Sequence, residues 1–240
     1  MSRAGLSISV AAMTLRHANG TVALDRVSLE LGEGSICAIM GASGSGKSSL
    51  LAAIGGRAMA CQGRILLGGT LLLPQTLPGL RPMIGQVYQD HRLVRQSSVL
   101  ANVLAGAAAT LPLWRVLTDR YPTDLVERAG YLLDLLGLDE SFLSRRLDSL
   151  SGGQAQRVGI ARALIGGPRL ILADEPVASL DPPTALRALR AISSVARETG
   201  ATVVCALHQP DLAASFAQRI IHLQKGRIVS ADGSVGRDAA

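Results

Sequence analysis

Two short stretches hold residues whose types and spacing can do chemistry. The first is GASGSGKS, Gly41 to Ser48, which fits the spacing G-x-x-x-x-G-K-[ST]. Its glycines let successive backbone N–H groups curl around the β- and γ-phosphates of a nucleotide. Lys47 adds a compact cation to them, and the Ser48 hydroxyl can ligate Mg²⁺. The second stretch is LSGGQAQR, Leu150 to Arg157. Ser151 reads as a helix N-cap, its side chain taking up a free N–H of the first turn. A helix start with glycines that admit a ligand to the backbone is an anion site in its own right. The first stretch is the better phosphate cradle, so the presence of the second needs a reason.

A third stretch, LILADEP, Leu170 to Pro176, is an apolar run ending in two carboxylates. Behind a phosphate cradle, two acids at a strand end divide the work. Asp174 would hold Mg²⁺ through water, and Glu175 would orient and polarise the attacking water as general base.

Each motif needs elements to hold it. Leu6–Leu15 and Ser28–Leu31 alternate like strands, with a turn at Ala18-Asn19-Gly20. Ser35–Met40 is a short apolar strand, and a helix opens at Ser48–Ile54, the context that the first motif requires. Arg64–Leu73 predicts a hairpin around Gly68-Gly69, and Ile84–Tyr88 another strand. From about Ser97 to Leu164 the pattern is helical. Leu170–Ala173 and Thr202–Leu207 are buried strands separated by a helix over Thr184–Glu198, and Ile220–Val229 is a hairpin around Lys225-Gly226. Strands alternating with helices predict an α/β fold on a parallel sheet.

Composition narrows the classes. The 240 residues are 48% hydrophobic and 2% aromatic, so the core is aliphatic. The net charge of +6 rests on 22 Arg and only 2 Lys. The arginines are spread along the chain rather than clustered, which gives no reason to expect a nucleic-acid partner. Against that bias Lys47 stands out. No secretory leader opens the chain. Cys37, Cys61 and Cys205 lack metal-ligand spacing, and Cys37 and Cys205 lie in apolar runs, as buried reduced thiols of a cytosolic protein do. Val99 to Trp114 carries no charge, but it is short of the roughly 20 residues of a spanning helix and holds Asn102, Thr110 and Pro112. A helix packed on the core or docked on a partner is expected there.

Over nearly its whole length the chain resembles the ATP-binding subunits of ABC transporters. LSGGQAQR matches the family signature, Gln89 the Q-loop glutamine, Ser179-Leu180-Asp181 the D-loop and His208 the switch histidine, in the family's order. The resemblance implies a P-loop NTPase fold of the ABC type, with a RecA-like parallel core, an antiparallel β subdomain and a helical signature subdomain over about 90–164. The chain would be one such domain over 1–240, with 233–240 a loose tail. It further implies that two subunits pack head to tail. Each ATP would lie between one subunit's Gly41, Ala42, Ser43, Gly44, Ser45, Gly46, Lys47, Ser48 and Ser49 and the other's Ser151, Gly152, Gly153 and Gln154. That assigns the second anion site to the partner's nucleotide. Mg²⁺ would be held by Ser48, Gln89 and Asp174, with Glu175, His208 and Lys47 catalytic and Asp181 in the D-loop.

Between Gln89 and the signature, LV-x-x-x-SVL-x-NVL-x-G, Trp114-Arg115 and ADEPVASLDP resemble the ATPases of phosphonate importers. Those work with two membrane permease subunits and a periplasmic binding protein, at the cytoplasmic face of the inner membrane, on phosphonates or, in close relatives, phosphite or phosphate. ATPases of lipoprotein-release and polar-amino-acid systems share much of the same core, and a soluble non-transport ATPase of the family is a further alternative. By spacing, His17 falls where relatives stack an aromatic side chain on adenine; it is also readable as a solvated loop histidine. The Gln89–Arg95 loop and Val99–Trp114 are the expected docking surface for a permease.

Overall fold

The computed structural model describes residues 4–232 apart from 113, 116, 117 and 119; the expected tail lies outside the described residues. The chain opens with β1 (Ile8–Arg16) and β2 (Val22–Leu31), an antiparallel pair to which β4 (Gln62–Leu67) and β5 (Thr70–Leu71) add. β2 starts earlier than the expected Ser28. Its alternation is broken by Arg26 at φ 50°; on β1 Ala12 sits at φ 45°, and the register shifts on either side of the Met13–Val27 pair. A bulge of this kind strengthens twist and hides a strand from period-two reading.

The main sheet has six strands in the order β10-β9-β3-β8-β7-β6. β3 (Ile36–Met40), β6 (Ile84–Val87), β7 (Leu170–Asp174), β8 (Thr202–Ala206) and β9 (Arg219–Gln224) run parallel, and β10 (Arg227–Asp232) returns antiparallel. Both faces are covered, so these strands are apolar throughout rather than alternating. Ile36, Ala38, Met40, Ile171, Ala173, Val203 and Cys205 face a helical layer. Cys37, Ile39, Leu170, Leu172, Val204 and Ala206 face the antiparallel sheet and α1 (Lys47–Ile54). Burial pushes the Cys37 thiol up to about 12, and the fully buried Cys205 is raised as well, which keeps both protonated.

The helical layer contains α3 (Val99–Leu104), α4 (Thr123–Leu135), α5 (Gly152–Leu164) and α6 (Pro182–Thr199); α2 (Leu77–Leu80) is a single turn between β5 and β6. α6 starts two residues before the expected Thr184. Asp181 caps it by accepting from the Thr184 N–H at 3.2 Å, and Pro182 sits where no N–H is needed. α7 (Pro210–Phe216) is an element that sequence periodicity does not reveal; seven residues are too few to establish a helical stripe.

The uncharged stretch is divided between core and surface: its first part is packed inward, while Ala105, Gly106, Ala109 and Thr110 are exposed. Val99, Val103, Leu104 and Ala107 are buried, and Asn102 bonds the N–H of Val94 and the carbonyls of Val94 and Ser98. Trp114 is 55% exposed. Among the described residues no helix is long and apolar enough to cross a membrane.

Candidate active site

Four parallel strands deliver four motifs to one edge of the sheet. β3 runs into Gly41–Ser48, β7 ends at Asp174-Glu175, β6 leads to Gln89, and β8 to His208. Ligands of open α/β sheets bind outside the carboxyl ends of the strands, and these motifs need no other device to meet.

The Gly41–Ser48 loop is built around Lys47, whose Nζ donates to the carbonyls of Gly41 at 2.8 Å and Ala42 at 3.2 Å while the residue is 4% exposed. That aims the ammonium into the loop. Gly46, at φ 108°, has its α-carbon so near the Ala23 carbonyl that a Cβ would lie 2.7 Å from it, so only glycine fits. The turn of β9 and β10 braces the loop from below, the Gly226 N–H donating to the Ser45 carbonyl at 2.9 Å. Ser45 Oγ is buried without a partner. No side chain caps α1, so its first N–H groups face the loop with the positive end of the helix dipole. The whole is a cradle for an anion.

Facing it, the Ser48 hydroxyl donates to Asp174 Oδ1 at 3.0 Å. Burial raises Asp174 above the usual carboxylate range, opposed by that bond. Glu175 sits at φ 49°, a rare place for a side chain other than glycine and one that carries strain at functional sites. Its Oε1 lies 2.5 Å from His208 Nε2 and its Oε2 3.5 Å from Gln89 Nε2. A cleft of about 340 Å³ joins these groups: His17, Lys47, Ser48, Gln89, Glu175 and His208 line it. Thr21, Val22 and Ala23 line it too; nothing in the sequence marks them, because they contribute wall rather than chemistry. The arrangement can bind a polyphosphate, set a hard cation between Ser48 and Asp174, and hold a water against Glu175.

The second anion site lies apart. Ser151 accepts from the Gln154 N–H at 3.3 Å, and Gln154 Oε1 accepts from the Ser151 N–H at 2.9 Å, a reciprocal capping box. Ser151 and Gly152 are exposed, and Gly153 lies against Leu180 of the Ser179-Leu180-Asp181 loop. None of Ser151–Gln154 lines the cleft of Lys47 and Glu175.

A phosphate loop between β3 and α1, with paired acids at the end of β7, a parallel strand separated from β3 by β8, defines a P-loop nucleoside-triphosphate hydrolase. The chain belongs to the ABC transporter family, whose sequence pattern matches residues 24–178. The phosphonates import ATP-binding protein PhnC of Hyphomonas neptunium is 50% identical over 216 residues, 90% of this chain and 83% of that protein. The corresponding protein of Hydrogenovibrio crunogenus is 41% identical over 88% of this chain and 78% of its own length. Among solved structures, an ATP-binding cassette captured as a dimer in a post-hydrolysis state with ADP and Pi superposes with a TM-score of 0.83 at 32% identity, covering 96% of this chain and all of that one.

Proposed function

We propose that this chain is the ATP-hydrolysing subunit of a phosphonate importer, working as a pair at the cytoplasmic face of the inner membrane. One observation carries the chemistry: the strained Glu175 stands between Gln89 and His208 at the wall of the cleft that Lys47 enters. The cargo reading rests on relatives at 50% and 41% identity that carry the phosphonate-import name.

ATP binds with its β- and γ-phosphates in the Gly41–Ser49 loop and its adenine toward His17. Ser48 and Asp174 are hard oxygen donors 3.0 Å apart, a pair that suits Mg²⁺, and Gln89 reaches the same space. Held there, Mg²⁺ would supply positive charge against the charge that develops on the phosphates. Glu175 takes the proton of the attacking water, His208 steadies the carboxylate and the γ-phosphate, and Lys47 stays on the phosphates throughout. Ser151, Gly152, Gly153 and Gln154, with Asp181 nearby, close on the second subunit's ATP. Loss of the γ-phosphate then releases the pair.

The membrane partner docks beside the Gln89 loop. There a groove of about 530 Å³ is lined by Ala105, Gly106 and Ala109 and by Arg57, Arg81, Arg92 and Arg162. Two permease subunits, fed by a periplasmic binding protein, complete the importer. The test is growth on a phosphonate as sole phosphorus source. A deletion strain should regain growth with the wild-type chain and not with Glu175→Gln. Growth of the deletion strain without complementation would overturn the cargo reading.

A further inference from the structure

We infer that Gln156, on the buried face of the signature helix α5, is a positioning residue for Glu175 of the same subunit. This rests on the reading of Glu175 as the general base. Glu175 is doubly constrained: it holds φ 49°, and it precedes Pro176, which narrows its backbone further. Such a conformation persists only where the surroundings over-determine it. Two main-chain bonds bear on it, from the Glu175 N–H to the Ala206 carbonyl at 3.2 Å and from the Ala178 N–H to the Glu175 carbonyl at 3.3 Å. Both are long. The short bond comes from Gln156, whose Nε2 donates to the Pro176 carbonyl at 2.8 Å. Gln156 is 2% exposed, so no water replaces it easily, and the bond gains strength from its dry surroundings.

Gln156 lies five residues after Ser151 on the same helix. The start of α5 serves one ATP, and its second turn grips the loop that aims the base at the other. A shift of the signature therefore reaches Glu175 through one rigid helix and one hydrogen bond.

Gln156→Met keeps length and burial but removes the donor. ATP affinity, read by fluorescence of a bound nucleotide analogue, should stay within about twofold. kcat should fall about 10- to 100-fold, the size of effect that an ångström of misplacement produces. The ATP-bound dimer should still form on size exclusion, because the start of α5 is untouched. Loss of the dimer, or a fall in kcat matched by a rise in KM, would mean that Gln156 only holds α5 in place and would overturn the inference. Gln156→Glu guards against a variant that folds poorly. Burial raises that carboxyl's pKa, and only its protonated form can donate to Pro176. Its kcat relative to wild type should therefore stand near wild type wherever the carboxyl is protonated and fall as pH rises; a ratio that stays low at every pH would overturn the inference. Glu175→Gln measured alongside separates the two readings. Should it retain turnover, the base assignment fails. Should it lose turnover while Gln156→Met keeps full kcat, only the role of Gln156 fails.

Discussion

α1 and α5 both begin at a glycine-rich loop, and the two starts are built oppositely. At α1 no side chain caps the helix, Lys47 is buried with its ammonium turned into the loop, and acids from β7 stand across the cleft. At α5, Ser151 and Gln154 close the first turn on each other, no cation is present in Ser151–Gln154, and the surface is open. The first gathers donors, a cation and acids for a charged ligand within one chain. The second offers Gly152 and Gly153 N–H groups and a helix dipole but no counter-charge, which suits a phosphate already held elsewhere. The difference suits the proposed function, in which the second helix start is one half of a site whose other half lies on a second copy.

Four substitutions break or sharpen this contrast. The largest effect falls on turnover. Glu175→Gln should lower kcat by about 100- to 10,000-fold, the range for a lost general base, with ATP affinity unchanged. The ATP-bound dimer should accumulate on size exclusion, since both helix starts remain intact. Near-normal turnover would remove Glu175 from the chemistry. Next comes the cradle itself. Lys47→Ala should weaken ATP binding to a single chain by roughly 10- to 100-fold, as expected for a charged hydrogen bond worth about 1.5–3 kcal/mol. Equilibrium binding at low protein concentration, where chains stay apart, reads this directly. The contrast sharpens with Ser151→Arg: under the same conditions its affinity should change by less than about twofold, because Ser151 does not line the cleft of Lys47. The smallest effect on the isolated chain belongs to Val94→Asp. Val94 is 62% exposed and its main chain is held by Asn102, so Tm and ATPase activity should stay near wild type while co-purification with the permease is lost. Full-strength co-purification would move the docking surface away from this loop.

The sequence made the site far more legible than the elements around it, for a physical reason. In the proposed function, phosphate, a hard cation and water set the residue types at Lys47, Ser48, Asp174 and Glu175, and strand ends set their spacing. β2 is half-hidden because Arg26 takes a left-handed conformation that breaks its alternation. α7 is too short to show a stripe. The Val99–Trp114 stretch reads as apolar either way; only packing separates the buried Val99, Val103, Leu104 and Ala107 from the exposed Trp114. Gln156 is silent for a different reason. Its partner is a main-chain carbonyl 20 residues away, and a carbonyl leaves no residue type to recognise. The capping box of Ser151 was visible only in part, as an N-cap, since Gln154 has its own place in the signature.

The central claim is that one chain's cradle and another chain's signature make a single site. Mixing a Ser151→Arg subunit with a Lys47→Ala subunit tests it most directly. Each variant alone carries two damaged sites and should form no stable ATP-bound dimer. In the mixture, the Ser151→Arg chain brings a sound phosphate loop and the Lys47→Ala chain a sound signature, so the heterodimer holds one intact site. The account predicts an ATP-bound heterodimer by size exclusion, and hydrolysis above that of either variant alone. A mixture that shows neither, under conditions where the wild type dimerises, would contradict it.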